Sequence, residues 1–242
     1  MEEKSNNFLE SLIFPLIFVA VIWLIAIVEL LFELDLYWLG VLPRSFTGLK
    51  GIFTSPLIHG GFSHLISNSV PFLVSGTIIM YFYKNVAFKS FSWMYVITGA
   101  MVWIFARNEN IGNDVYHIGA SGVVYAMVAF IFFSGMFVRN RLSIVLSLIM
   151  ILLYSGMIQG ILPNQEGISW ESHLMGGLVG MIVAMFFRTE IKAGHVKEDW
   201  DGEKELVQDV KEHFLPRDIF DKTKFERQQQ QQEEEKDINE NA

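Results

Sequence analysis

Cysteine is absent from this 242-residue chain. That excludes disulfide cross-links and thiol chemistry and leaves the compartment open. Charge is scarce as well: 18% of residues are charged, against 52% hydrophobic and 14% aromatic. The charge is also unevenly spread. Residues 1–188 hold 9 Lys and Arg against 10 Asp and Glu, whereas residues 189–242 hold 9 against 16. The formal net charge of -8 therefore belongs to the C-terminal segment, and a surface that acidic argues against a nucleic-acid partner.

Long apolar runs are what the sequence has in abundance. Crossing the hydrocarbon of a bilayer takes about 20 predominantly apolar residues. Six runs qualify: Leu12–Phe32, His64–Tyr83, Phe91–Ala106, Ser121–Val138, Leu142–Ile161 and Ser172–Phe187. The expected fold class is an all-α membrane protein, with six transmembrane helices in residues 1–188 and an acidic soluble tail over 189–242. The third and last runs are short for a flat crossing, which points to local bilayer thinning or a shielded position. The first run is too long for the apolar core of a cleavable signal, and no small-residue cleavage site follows it. Short helices are expected in the tail as far as Glu226. Gln228–Gln232 followed by Glu233–Glu235 reads as low-complexity and disordered.

Basic residues near span ends favour the cytoplasm. Lys4, Lys84, Lys89, Arg139, Arg141, Arg188, Lys192 and Lys197 fall on one side of the six spans, and Arg44, Lys50 and Arg107 on the other. Eight against three puts both termini, and the tail, in the cytoplasm. Spans two, four and six then begin at the outer face. Each of those three beginnings carries a polar cluster: His64 to Asn68, Gly119 to Gly122, and His173 to Gly180. Polar groups at membrane depth are expensive and mark function by default.

The residue types point to acyl transfer. Serine is a poor nucleophile until a neighbouring base takes its proton, and a histidine can take that proton and return it to a leaving amine. Ser121 and His173 suit these catalytic roles. Gly119, Ala120 and Gly122 leave room for another backbone beside the serine. His173, Gly176 and Gly180 are spaced three and four apart, so they share one helical face, and small residues on such a face permit close packing in lipid. Spans four and six are therefore expected to touch there. Tyr125, one turn below Ser121, is expected to stack on the His173 ring. His64 and Asn68, four apart, share a face and can donate hydrogen bonds to a developing oxyanion, as can the Ser121 backbone N–H at a helix start. Glu171 is expected to point away from His173, so the reading is a Ser–His dyad rather than a triad.

His64-xxx-Asn68 on the second span, Gly119-x-Ser121-Gly122 opening the fourth and His173-xx-Gly176-xxx-Gly180 on the sixth together resemble the rhomboid family of intramembrane serine proteases. Ser121-Gly122-Val123-Val124-Tyr125 is close to bacterial members, and His59-Gly60-Gly61-Phe62-Ser63-His64 is also similar. The resemblance covers roughly residues 10–188. It implies a six-helix rhomboid bundle in a bacterial plasma membrane, with a water-filled cavity opening to the outer face. It implies cleavage of membrane-spanning protein substrates in or near their transmembrane segments, with no metal, ATP or other cofactor. The fifth span and the loop Leu162–Ser172 would form a movable gate and cap. One departure is visible: the Trp-Arg pair of many members is split here into Trp38 and Arg44, within the first external loop, Glu33–Gly61.

Other readings remain for single residues. His59 reads as a structural histidine bonding loop backbone, His117 as either a cavity-mouth or a satisfied loop histidine, and His195 and His213 as solvated. Trp38, Trp93, Trp103 and Trp170 read as interface anchors, and Gly76, Gly99, Gly135 and Gly156 as packing positions. A zinc site of the His-Glu-xx-His type is absent. Gly112-Asn113-Asp114 is not an aspartyl Gly-x-Gly-Asp motif, and no inverted repeat suggests a transporter. The remaining alternative is a proteolytically inactive relative that binds membrane clients as a scaffold or chaperone. Such relatives typically lack the serine, the histidine or both, and this chain keeps Ser121 and His173.

The orientation is testable because no native cysteine interferes. In intact cells an impermeant thiol reagent is expected to label single cysteines at Asn113 and Asn164 and to spare one at Lys197. The opposite pattern would invert the topology.

Overall fold

An apolar run in hydrocarbon must pair its backbone polar groups internally, and a helix does so within a single segment. The computed structural model describes residues 2–110, 113–163, 169–213 and 226. Its helices are α1 (Glu2–Phe32), α2 (Phe62–Phe82), α3 (Ala87–Phe105), α4 (Ser121–Val138), α5 (Arg141–Tyr154) and α6 (Trp170–His213), with a one-turn helix at Gly51–Thr54. A 3-10 turn, Ser155–Ile161, extends α5. Six stretches are long and apolar enough to cross a membrane: Phe8–Phe32, Phe62–Phe82, Ala87–Phe105, Ser121–Val138, Arg141–Ile161 and Trp170–Gly194. The chain is an all-α, multi-pass membrane protein.

The third span starts one turn before the expected Phe91 and the sixth is 25 residues long, so neither is short, and the case for thinning at those spans falls away. The short helices expected after Thr189 are replaced by α6 itself, which runs on to His213. The chain divides into two compact units, 1–195 and 196–242. Asn164, residues 165–168 of the expected cap loop, Phe214, Ile219, Phe225 and the tract Gln228–Glu235 lie outside the described residues.

Local chemistry sets the helix ends. Arg139 takes a left-handed conformation, φ 57°, at the C-cap of α4, a common way to stop a helix. One residue on, the Asn140 side chain accepts a hydrogen bond from the Ser143 N–H and starts α5. α4 is the most enclosed span, with 61% of its window buried, against 17% for both α1 and the α5 span. Its Met127, Phe130 and Ile131 are fully buried with Phe72 and Ile79 of α2, Met94 of α3 and Val183 of α6.

The close contacts around α4 are backbone contacts. A Cβ added at Gly176 would overlap the Gly122 carbonyl oxygen, and one at Gly180 the Ala126 carbonyl oxygen. Gly135 lies equally tight against Ser147 and the Ser143 carbonyl near the start of α5, where Ser147 Oγ also donates to Phe132 O at 2.8 Å. Gly76 packs on Pro15 and Gly99 on the Ile52 backbone. Gly156 breaks the expectation for packing glycines: nothing lies within 4 Å of an added Cβ there.

The loop between α1 and α2 is held by polar clamps. Val41 and His117 form an antiparallel bridge, with N–H to O distances of 2.9 and 2.8 Å. Arg44 Nη1 donates to Ala106 O at 2.6 Å and Ile104 O at 3.1 Å, placing a cation at the C-terminus of α3, where the helix dipole favours it. Trp103 Nε1 donates to Ser45 O at 2.9 Å, so Trp103 clamps this loop. Trp38 instead stacks under Lys50, 3.7 Å from the ring centroid. A two-residue antiparallel ladder, Glu109–Asn110 with Asn113–Asp114, was not anticipated from the sequence.

Forcing a side chain between α4 and α6 is expected to separate them. Overpacking of a tight contact typically costs about 1–3 kcal/mol, so Gly180→Val is expected to unfold at a lower temperature in detergent. Parental stability would mean that α6 does not need this contact.

Candidate active site

Ser121 is the first residue of α4, and the turn before it is pinned. Gly119 has φ +103°, and a Cβ there would come within 2.5 Å of His64 Cε1 and 2.7 Å of its Nε2. The His64 ring therefore lies directly on the backbone two residues before Ser121. The Gly119 N–H donates to Ser55 O at 2.9 Å, and the Ala120 N–H points at His59 Nε2, 3.4 Å away. His59 is thus a buried histidine bonding loop backbone, with its ring edge-on to His64 at 5.2 Å.

His173, on the first turns of α6, lies over the same end of α4. Its ring stacks on Tyr125 with centroids 4.2 Å apart and planes 9° from parallel. Ser121 and Tyr125 are four apart and share a helical face. A Cβ on Gly122 would sit 3.1 Å from the Ser172 carbonyl oxygen. These contacts bring the His173 ring over the face that carries Ser121. Among the described residues Ser121 Oγ, half-buried, has no hydrogen-bond partner; the Ser121–His173 bond is open. His173 Nδ1 is instead 2.8 Å from Gly160 O. A carbonyl only accepts, so Nδ1 carries the proton and Nε2 of the neutral ring keeps its lone pair.

Asn68 is buried, 4% exposed, and its Nδ2 donates to His64 O one turn back at 3.0 Å. The amide has two protons, so one donor remains uncommitted among the described residues. Glu171 pairs with Arg107, Nε to Oε1 3.2 Å, and its second oxygen makes no hydrogen bond among the described residues, to His173 or any other group. The residues at the mouth that the sequence did not single out are Arg107, Ser169 and Ser172. His117 Nε2 donates to Arg107 O at 2.8 Å, which leaves Nδ1 to accept from Ser169 Oγ at 2.5 Å. Ser169 Oγ in turn lies 2.6 Å from Ser172 Oγ. His117 is therefore a satisfied loop histidine, and it ties the start of α6 to the loops. Tyr125 also borders an apolar cavity of about 360 Å³ between α4, α5 and α6, lined by Phe132, Met150, Met157, Leu174 and Leu178 among others.

The rhomboid domain profile matches residues 47–190, a stretch that contains His64, Asn68, Ser121, Tyr125 and His173. The chain belongs to the rhomboid family. Uncharacterised proteins of Mycobacterium bovis and Mycobacterium tuberculosis are each 30% identical to this rhomboid over 176 residues, covering 70% of this chain and 72% of theirs. An uncharacterised protein of Mycobacterium leprae is 31% identical over 180 residues, covering 70% and 68%. Rhomboids are typically serine proteases that act on membrane proteins within the bilayer. The α1 helix of this rhomboid lies outside the match.

His59 gives a pH dependence. Burial, reinforced by the neighbouring His64, pushes its pKa from 6.5 down to about 4; burial also lowers His117. A depressed histidine pKa means that the unfolded chain takes up the proton first as pH falls. Stability present above pH 6.5 is therefore lost as pH falls from 6.5 toward 4. At about 1.4 kcal/mol per unit, the His59 share is at most about 3–4 kcal/mol. His59→Gln, measured by thermal unfolding in detergent across this range, is expected to show a shallower slope. Parallel profiles would remove His59 as the cause.

Proposed function

We propose that this rhomboid is an intramembrane serine endopeptidase, with Ser121 as nucleophile and His173 as general base and acid. The observation that carries the reading is the His173 ring stacked on Tyr125, one turn from Ser121, with Nδ1 occupied and Nε2 free. Ser121 Oγ attacks the scissile carbonyl carbon and gives its proton to His173 Nε2. The oxyanion is met by the Ser121 N–H, the remaining Asn68 Nδ2 proton and His64. Collapse breaks the C–N bond, and His173 returns the proton to the leaving amine. Water then hydrolyses the acyl-enzyme by the same route in reverse. The open Ser121–His173 bond fits this chemistry, since catalytic hydrogen bonds are often loose before substrate arrives.

The substrates are membrane-spanning proteins cut in or near their transmembrane segments. The charge asymmetry of the loops supports a site opening to the outer face and termini in the cytoplasm, with residues 189–242 a soluble acidic extension of the 1–188 membrane domain. Gly119, Gly122, Gly176 and Gly180 support the site by letting backbones and rings approach.

Cleavage of a panel of single-span substrates in liposomes tests the proposal. Ser121→Ala and His173→Ala are each expected to abolish turnover while leaving the fold intact, because triad-type groups act as a unit and their loss costs on the order of a millionfold. The double replacement of His64 and Asn68 by Ala is expected to lower kcat at least about 100-fold, as for an oxyanion donor. Ser169→Ala is the control, because His117 and Ser169 form a closed Ser–His hydrogen bond where Ser121 and His173 do not. Both cleavage and labelling by a serine-directed probe should survive it. Substantial cleavage without Ser121 or His173 refutes the assignment. Tight binding of the substrates with neither cleavage nor labelling would establish the inactive, client-binding alternative.

A further inference from the structure

We propose that the Gly160 backbone carbonyl is the positioning group of His173, taking the place that a carboxylate holds in a triad. The proposal rests on the protease reading above and names the part that completes it. A histidine that must accept a serine proton at Nε2 needs its other nitrogen protonated and held. Glu171 does not do this, since it is committed to Arg107. Gly160 O, 2.8 Å from His173 Nδ1, can do only this. The Tyr125 stack sets the plane of the imidazole, and the Gly160 bond sets its rotation within that plane. The two constraints are independent, and together they fix the direction of the Nε2 lone pair.

The local sequence provides this acceptor in two ways. Gly160 lies in the 3-10 turn Ser155–Ile161, where each carbonyl seeks the N–H three residues on. Three residues after Gly160 stands Pro163, which has no N–H to give, so the carbonyl is left free. A side chain at position 160 would also be intolerable. An added Cβ would overlap the Tyr125 hydroxyl and lie 3.0 Å from His173 Nδ1. The same turn is tethered a second time, because Tyr125 Oη donates to Met157 O at 2.6 Å. With three residues per turn, the Met157 and Gly160 carbonyls lie along one side of it. Tyr125 thus supplies the face on which His173 stacks and also holds the turn that orients it. Readiness of the base depends on where the end of the fifth span sits.

The experiment reads the ring directly. Nitrogen-15 NMR of histidine-labelled protein in micelles is recorded on the Ser121→Ala background, with His173 assigned by its loss in His173→Gln. The unsubstituted turn is expected to hold His173 as the Nδ1–H tautomer at a pH where the ring is neutral. Gly160→Ala, which displaces the carbonyl, is expected to give mixed tautomers. On the active background it should lower kcat up to roughly 100-fold, the cost of about 1 Å of misplacement, with KM within about twofold because the change misaligns reacting groups without removing a binding contact. Pro163→Ala is the milder variant, since it restores a competing N–H without adding bulk at the site. It should shift the tautomer and kcat in the same direction by less, with an unchanged unfolding temperature. An Nε2–H tautomer in the unsubstituted turn overturns the proposal. So does a parental tautomer and kcat in both variants, and in either case cleavage dependent on Ser121 and His173 would leave the protease reading standing. Absence of any Ser121-dependent cleavage removes that reading and this one with it.

Discussion

Two carbonyl oxygens of α4, those of Gly122 and Ala126, occupy the space that any side chain at Gly176 or Gly180 of α6 would need. Lipid gives apolar helices no hydrophobic reason to prefer one another, so association depends on how closely their surfaces fit. Glycine on α6 allows contact at backbone distance, and the site depends on that distance. It puts the His173 ring flat on Tyr125 and brings Ser172 against Gly122. It also sets α6 at a height where Ser172 and Ser169 reach one another and His117. A wider spacing would lose the stack first, because van der Waals contact between rings falls off within an ångström.

The site is built almost without charge. The nearest carboxylate, Glu171, is buried and turned toward Arg107, with its second oxygen unpartnered among the described residues. Around the His173 ring the partners are the Gly160 carbonyl and the Tyr125 phenol ring. A carbonyl orients the ring but stabilises an imidazolium less than a carboxylate does. In a membrane body whose net charge is close to zero this is economical, because an isolated buried carboxylate is expensive to desolvate. The polar network at the mouth, from Arg107 through His117 to Ser169 and Ser172, does a different job: it anchors the first turn of α6 to the loops that precede α4.

Most of the helical architecture could be read from composition alone. A run of about 20 apolar residues admits few other structures in a bilayer, and five of the six spans begin and end within a few residues of the expected positions; the sixth begins as expected but ran further because a helix leaving the membrane has no reason to stop where hydropathy does. The clusters around Ser121, His64 and His173 were legible because each is a polar side chain in an apolar run, and the Gly176 and Gly180 contacts because helical spacing puts both on one face. What stayed hidden works through the backbone. Gly160 acts through a carbonyl, which every residue has, and only its pairing with Pro163 distinguishes it afterward. Gly156 was misread for the opposite reason: a small residue in a span is equally compatible with a contact and with empty space. The clamps of Arg44 and Trp103 join residues about 60 positions apart, beyond what local pattern can connect.

The fifth span is secured unevenly. Near its start Ser143 and Ser147 lie against Gly135 at backbone distance, while much of its remaining surface, including Leu148, Ile151, Leu152 and Leu153, is exposed. Exposed apolar side chains on a membrane span are suited to face lipid. A helix in backbone contact at one end and held chiefly by hydrogen bonds at the other has the most room to tilt there, and tilting is one way a span relieves mismatch with the bilayer. The far end carries the turn that contains Met157 and Gly160, held to the bundle by hydrogen bonds from Tyr125 and His173. Any tilt of α5 would be felt at a single imidazole, because the turn at its end holds His173 Nδ1.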